Sequence, residues 1–450
     1  MILAQSMYAL QSVSLSLSQP LEPFWSKLLL VLGGGIGAFV LAYFLTFAVS
    51  AVCWKMAWLD MPSARRIHKK PFPRLGGVAM YLAFVIVSLV LYATYHETKQ
   101  GELGQYWLVL VGATLITAVH VYDDIKGLKP LPKLIAQTIS VLIILGPFLD
   151  GSFHGVILFG FNNPFGVHGV HPELPWYRQQ VIDIFIQKAE VSLLALPAVL
   201  ITWFWMVGMM NTINWMDGMD GLATGIVGIA AFFIAVISWR MGQTSIALLS
   251  AIFTGAVLGF LPHNWNPAKI IMGDSGSQFL GLLLAVLAIM GGAKVALALM
   301  VLGIPILDVA IVIINRVRRG QSPAHYDKTH LHHRLLATGL SVRQICYILY
   351  GLMISFGLLA YVWDRPLYKL GGIGLVVVVM VGLIIWLDYR QRQRGMAVEL
   401  GGPGSDPQPS GDPETSNDQK PAQEQHPAQS RRLEGKREDT VEVSEASSSS

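Results

Sequence analysis

The stretch LLLVLGGGIGAFVLAYFLTFAVSAVCW, residues 28–54, contains no charged side chain. As a helix rising 1.5 Å per residue it is long enough to cross ~30 Å of hydrocarbon. Within it, Gly33 to Ala38 (GGGIGA) matches a loose dinucleotide-binding pattern, but no strand precedes it. Small residues that let helices approach closely are the better reading. Further apolar runs follow near Val78–Tyr95, Tyr106–Tyr122, Leu134–Leu149, Val191–Met210, Leu222–Ser238, Thr244–Leu261, Gln278–Met290, Val295–Ile314, Val342–Val362 and Leu370–Leu387. The expected fold class is all-α, a polytopic integral membrane bundle of about eleven transmembrane helices.

Composition supports this. Of 450 residues, 53% are hydrophobic and only 13% charged, and the mean hydropathy is +0.52, outside the range of ordinary soluble domains. The net charge of +4 does not point to nucleic acid, because Lys and Arg stand in short blocks between apolar runs, as at a membrane surface. Cys53 and Cys346 have no partner at metal-ligand spacing and read as packing residues. Residues 1–27 carry no Lys or Arg before Lys27 and read as a short exported tail rather than a cleaved signal. Residues 28–394 form the transmembrane domain. Residues 395–450, rich in Pro, Gly, Ser, Gln and charge, cannot bury enough apolar surface to offset ordering entropy and read as a disordered tail.

Successive loops must alternate sides. One set holds Lys55, Arg65, Arg66, Lys69, Lys70, Arg74, Lys126, Lys129, Lys133, Lys269, Arg316, Arg318, Arg319, Lys328 and Arg334; the other is much poorer in positive charge. The positive-inside rule places the first set in the cytoplasm, with the amino terminus outside and the carboxyl terminus inside. The long exported loop, residues 150–190, shows no chemistry; a small hairpin is expected there.

Every dense polar motif falls on the inferred cytoplasmic side. Asp123 and Asp124 end the third span, where adjacent carboxylates are either a solvated cap or functional, and Lys133 follows. Asn211, Asn214, Asp217 and Asp220 lie between the fifth and sixth spans, each pair three apart and so able to share a helical face. They are either a polar turn or a phosphate–metal site, since Mg²⁺ takes oxygen ligands and few of them from protein. Asp274 sits between Gly273 and Ser275–Gly276 before the eighth span; it can serve as an N-cap, or approach a metal while the helix start offers N–H donors to an anion. His330, His332, His333 and Arg334 form a fourth block. Zinc is disfavoured there by the lack of a fourth ligand and by Arg334, so phosphate binding fits better. Arg316, Arg318 and Arg319 read as interfacial anchors. Asp308, an acid inside the ninth span, is a functional candidate, read as orienting the His–Arg run.

These blocks, together with Pro62 to Gly77, occur in an order that resembles the bacterial polyprenyl-phosphate (undecaprenyl-phosphate) N-acetylglucosamine-1-phosphate transferases. That family is of the glycosyltransferase family 4 type and is related to phospho-N-acetylmuramoyl-pentapeptide transferase. The resemblance runs from about Asp60 to Leu336. It implies transfer of an N-acetylhexosamine-1-phosphate from a UDP-N-acetylhexosamine to undecaprenyl phosphate with release of UMP, in a bacterial plasma membrane. It implies catalytic roles for Asp123, Asp124, Asp274, His332 and His333, and Mg²⁺, with Mn²⁺ as the alternative ion, on Asn214 and Asp274. Substrate binding is implied for Arg74, Lys133, Asn211, Asp217, Asp220, His330 and Arg334. Ile271 departs from the pattern, since relatives often carry an aromatic there. The lipid bilayer and both substrates are the implied partners, nucleic acid is not, and a homodimer stays open.

The rival class is a membrane transporter. It would place charges near the bilayer midplane on broken helices related by a repeat; here the acids crowd one surface and no repeat is visible. A catalytically silent scaffold is the third reading, and the complete motifs count against it.

Overall fold

The structure, a computed structural model, describes residues 24–60, 71–92, 100–146, 148–149, 152–153, 155–158, 195–290, 295–321, 330–363 and 366–399. The amino-terminal tail, residues 62–70 of the first polar block, most of the exported loop, residues 326–329 and the carboxyl tail lie outside the described residues. The chain divides into two units, Met1–Gly395 and Met396–Ser450, and the helical bundle belongs to the first.

In chain order the described helices are α1 (Phe24–Met56), α2 (Gly76–Leu91), α3 (Gln100–Lys126), α4 (Pro130–Leu145), α5 (Ala195–Met216), α6 (Leu222–Arg240), α7 (Thr244–Asn264), α8 (Gly273–Met290), α9 (Val295–Val301), α10 (Gly303–Arg318), α11 (Leu331–Ala337), α12 (Val342–Val362) and α13 (Pro366–Glu399). Among the described residues seven helices are long and apolar enough to cross a membrane, and α2 and α4 are shorter apolar helices. The protein is an all-α, multi-pass membrane protein.

Each expected apolar run overlaps helix, with one correction. The run Val295–Ile314 is not one helix but two, α9 and α10, broken at Leu302. Pro305 has no N–H to donate back to Val301, so the ladder is interrupted there. Elsewhere the boundaries move toward the polar motifs. α5 continues to Met216 and so carries Asn211 and Asn214 on its last turns. α8 begins at Gly273, which puts Asp274 in its first turn.

Burial separates centre from rim. In α8, 83% of the spanning residues are buried, against 22% in α1 and in α13. A helix apolar on all sides belongs in the middle of a bundle, and α8 packs against α2, α3, α5 and α6. α1 lies on α7, with Gly34 and Gly35 set against Leu248 and Ala251 as close-packing residues. Its outer face, including Phe39, Phe44 and Phe47, is exposed, as expected where lipid is the solvent.

Among the described residues there are also two small antiparallel ribbons. β1 (Leu59–Asp60) pairs with β2 (Phe72–Pro73), Asp60 opposite Phe72. β3 (Phe148–Leu149) pairs with β4 (Ser152–Phe153), a hairpin at the start of the long loop. The end of β2 and the residues after it also bond to the extended segment before α8: Ile271 N donates to Pro73 O at 3.0 Å, Gly76 N to Ile271 O at 3.0 Å and Gly77 N to Met272 O at 2.9 Å. This clip carries Arg74 to the first turn of α8.

Candidate active site

The end of α8 is where the polar motifs meet. Asp274 N and Ser275 N donate to the two oxygens of Asp124 at 2.9 and 3.0 Å. The helix start does bind an anion, as its geometry favours, and that anion is the carboxylate of Asp124. Arg74 Nε closes the arrangement 3.0 Å from Asp124 Oδ1, whose side chain is 0% exposed. Gly273 makes the approach feasible: its φ is +73°, and a Cβ there would stand 2.4 Å from Arg74 O and 2.5 Å from Asp124 Oδ2. Any larger residue would force these groups apart.

Beside this clamp lies a more open set of charges. Lys133 Nζ is 2.8 Å from Asp274 Oδ2 and also ion-pairs with Asp123. Asp123 Oδ1 accepts Leu128 N at 2.7 Å, which fixes the loop leading into α4. Asn214 Nδ2 donates to Asp274 Oδ1 at 3.2 Å and to Ser277 Oγ at 2.9 Å. Arg74 is the second cation near Asp274, 3.7 Å away, and besides Asp124 and Asp274 it also approaches Asp60 at 3.7 Å. Asp274 is 23% exposed, so its carboxylate faces outward where that of Asp124 does not. Asp217 makes no side-chain hydrogen bond or ion pair among the described residues. Burial, and then the carboxylates of Asp274 and Asp124, push its carboxyl well above the usual range.

The histidine run forms a separate wall. His330 Nδ1 lies 2.9 Å from Asp308 Oδ2, and Leu331 N donates to Asp308 Oδ1 at 2.8 Å, so the intramembrane acid holds the start of α11. His330 stacks on His332, and His332 meets His333 at 4.3 Å between ring centres. His332 is 1% exposed and neither ring nitrogen has a hydrogen-bond partner among the described residues. Burial, with His333 and His330 adding to it, lowers its pKa to about 3. The ring is therefore neutral and offers an N–H rather than a positive charge. It touches the Asp217 loop so closely that a Cβ on Gly218 would lie 2.7 Å from His332 Nε2.

Other sequence candidates turn elsewhere. Asn211 exchanges hydrogen bonds with Gln137, which also donates to Gln278 at 2.8 Å; these amides tie α4, α5 and α8 together inside the bundle. Asp220 Oδ2 accepts Asn266 Nδ2 at 2.9 Å and Ala268 N at 3.1 Å, shaping the loop before α8. Arg334 pairs with Asp388 of α13. Ile271 enters the clip through its backbone.

Asn264, which stands out by no local signal, and Arg316, expected to be an anchor, both shape this end of the bundle. Asn264 Oδ1 accepts Gly221 N and Thr224 Oγ1, and its Nδ2 donates to Ile270 O, stapling α6 to the loop before α8. Arg316 is no simple anchor: it is 4% exposed and its guanidinium lies over Trp215, which neighbours His330. The signal was its spacing, eight residues after Asp308 and so about two turns along the same helix face. Arg318 and Arg319 are exposed, as interfacial anchors should be.

Residues 106–292 match the model of glycosyl transferase family 4. The chain is 31% identical over 361 residues to a probable undecaprenyl-phosphate N-acetylglucosaminyl 1-phosphate transferase of Bacillus subtilis, covering 79% of this chain and 89% of that protein. This chain belongs to glycosyl transferase family 4. A decaprenyl-phosphate N-acetylglucosaminephosphotransferase of Mycolicibacterium smegmatis is 32% identical over 384 residues, 78% of this chain and 87% of its own. More distant is a phospho-N-acetylmuramoyl-pentapeptide-transferase of Staphylococcus aureus, 28% identical over 298 residues, 65% of this chain and 85% of its own. The matched segment of family 4 holds Asp123, Asp124, Lys133, the α5–α6 loop and α8; Arg74 lies before it and the histidine wall after it.

As for a metal, no three His, Cys, Asp or Glu side chains converge at ligand spacing among the described residues. The oxygens near α8 still fit a hard cation that keeps most of its ligands as water or phosphate. Asp274, Asp123 and Asp124 are countered here by the cations Arg74 and Lys133, and Asp217, whose carboxyl is pushed up first by burial and then by Asp274 and Asp124, lies near them.

Proposed function

We propose that this protein transfers N-acetylhexosamine-1-phosphate, GlcNAc-1-phosphate above all, from a UDP-sugar to undecaprenyl phosphate, releasing UMP and starting a lipid-linked envelope glycan. The carrying observation is that Arg74, Lys133, Asn214 and Asp274, from four separated segments, converge with an outward-facing carboxylate at one end of a membrane bundle. The transferases named among the relatives support the same reaction class.

The reaction brings anion to anion, so the main task is electrostatic. An oxygen of the lipid phosphate attacks the sugar-bearing phosphorus of the UDP-sugar. The bond from that phosphorus to the bridging oxygen breaks, and the oxygen leaves with UMP. A phosphate monoester has its second pKa near 6, so the acceptor is largely dianionic at neutral pH and needs no strong base. Lys133, poised between Asp123 and Asp274, and Arg74 supply positive charge to the diphosphate. Asp274 and Asn214 would hold Mg²⁺, which when bound neutralises phosphate oxygens. His332 contributes an N–H donor and His333 stands next to it, both ordered by the Asp308–His330 contact. Asp124 keeps the first turn of α8, and with it Asp274, in place. Loop charge supports a site facing the cytoplasm of a bacterial plasma membrane, where water-soluble UDP-sugars and the lipid phosphate meet.

Purified protein is incubated with a panel of UDP-sugars and undecaprenyl phosphate, with and without Mg²⁺, and the lipid products are weighed by mass spectrometry. A lipid-linked N-acetylhexosamine diphosphate formed only with divalent cation is expected. No product from any sugar would defeat the reading.

A further inference from the structure

At the far end of α6 from the charged cluster, α6, α7 and α12 enclose a groove of about 370 Å³ on the outside of the bundle. Phe232, Leu258, Ile354 and Leu358 line it, Gly228 and Val236 contribute to its wall, and Tyr361 stands with them as the one lining residue with a hydroxyl. The three helices are spans, and Phe232, Ile354 and Leu358 are exposed, so the groove opens toward hydrocarbon. Its volume equals about a dozen water molecules at ~30 Å³ each, and a methylene group is of similar size. One acyl chain fits.

The end beside Tyr361 is not apolar. Arg240, the last residue of α6, places its guanidinium 4.9 Å over the Tyr361 ring and donates to the Tyr361 carbonyl. It is exposed, and Trp239 precedes it, the residue type of the membrane–water interface. A guanidinium presents several donors to a phosphate, and these two contacts hold it at the mouth of the groove. α6 is 19 residues long, so Arg240 lies about 28 Å along the axis from the Leu222 end that abuts the Asp217–Gly221 loop.

We propose that this groove is a binding site for an anionic bilayer phospholipid, with one acyl chain between α6 and α12 and the phosphate on Arg240, in the leaflet opposite the charged cluster. A zwitterionic lipid would fill the groove as well but gain less at its mouth. The polyprenyl acceptor phosphate is not the group on Arg240, because it must reach the other membrane surface.

The test uses full-length protein and native mass spectrometry, with phosphatidylglycerol and phosphatidylcholine of equal chain length offered at equal mole fraction. Wild type retains one phosphatidylglycerol in preference by about fivefold, the factor for ~1 kcal/mol per basic residue at an anionic headgroup. Arg240→Gln removes the preference but keeps chain binding. Val236→Trp, which fills the groove, loses the retained lipid of either kind, and Leu358→Trp does the same from the opposite wall should the first variant misfold. Equal retention of both lipids by wild type, undiminished preference in Arg240→Gln, lipid retained by both tryptophan variants, or a free fatty acid or second protein copy on the groove would each overturn the proposal.

Discussion

Asp124 and Asp274 are both aspartates at one helix start, yet the structure separates their work. Asp124→Asn keeps the size of the side chain and leaves one acceptor oxygen. Its new NH₂ must then face either an α8 N–H or Arg74, donor against donor. Hydrogen bonds to a charged acceptor contribute ~1.5–3 kcal/mol each, and removing one partner of a buried pair costs about 3–5 kcal/mol. Because Arg74 is 26% exposed, water compensates part of this, and about 3 kcal/mol is expected. At roughly 2 °C per kcal/mol for a large domain, the melting temperature falls by about 6 °C, and Asp274 is displaced, so turnover falls too. Asp274→Asn gives up the charge of its 2.8 Å ion pair with Lys133, but Asp274 is 23% exposed, so water offsets part of the loss and its melting temperature falls by less than that of Asp124→Asn. Thermal unfolding in matched detergent, followed by tryptophan fluorescence, compares the two. If Asp124→Asn melts with wild type while losing turnover, the clamp is not what Asp124 is for, and it acts on substrate instead.

Further expectations concern the site and its setting. Asp274→Asn should cut Mg²⁺-dependent transfer by about 10²–10³-fold, the scale for losing one group that stabilises developing charge; near-normal turnover would return it to a structural role. His332 has a folded pKa lowered to about 3, so its contribution to stability is present above its ordinary value near 6.5 and is lost as pH falls from there toward 3. Melting temperature against pH should therefore slope more gently over that window in His332→Asn than in wild type, and parallel curves would show that the ring titrates normally. Single cysteines beside Asp124, Asp217, Asp274 and His332 should all resist an impermeant thiol reagent in intact cells; labelling of any one would break the shared-face argument. Finally, confinement of the lipid phosphate beside the site favours direct displacement over a covalent relay. Labelled UMP should not exchange into UDP-sugar unless polyprenyl phosphate or its sugar-diphosphate product is present, and exchange in delipidated enzyme, abolished by Asp123→Asn, would make that aspartate a nucleophile.

Much was legible from the chain alone because a bilayer imposes its rules locally. A run such as residues 28–54 must be helical wherever it packs, since unpaired backbone groups cannot face hydrocarbon, and polar blocks such as Asp123–Asp124 or His330–Arg334 stand out against apolar neighbours. What each polar residue does is set by partners far away in sequence. Asp124 and Ser275 are bonded across about 150 residues, and nothing in the local text of either distinguishes a carboxylate that caps α8 from one that faces substrate. Asn211 and Asn214 look equivalent as a pair three apart, yet one turns into an amide cluster with Gln137 and the other toward Asp274. Arg316 reads like Arg318 and Arg319 until α10 is docked and only one of the three is buried. The break at Leu302 was written in Gly303 and Pro305 but masked by the continuous apolar run around them. Composition and periodicity determined that this is a helical membrane protein and where its chemistry is concentrated; the assignment of each carboxylate to structure or to substrate was decided by tertiary contact, because charge and hydrogen bonding act through space and not along the chain.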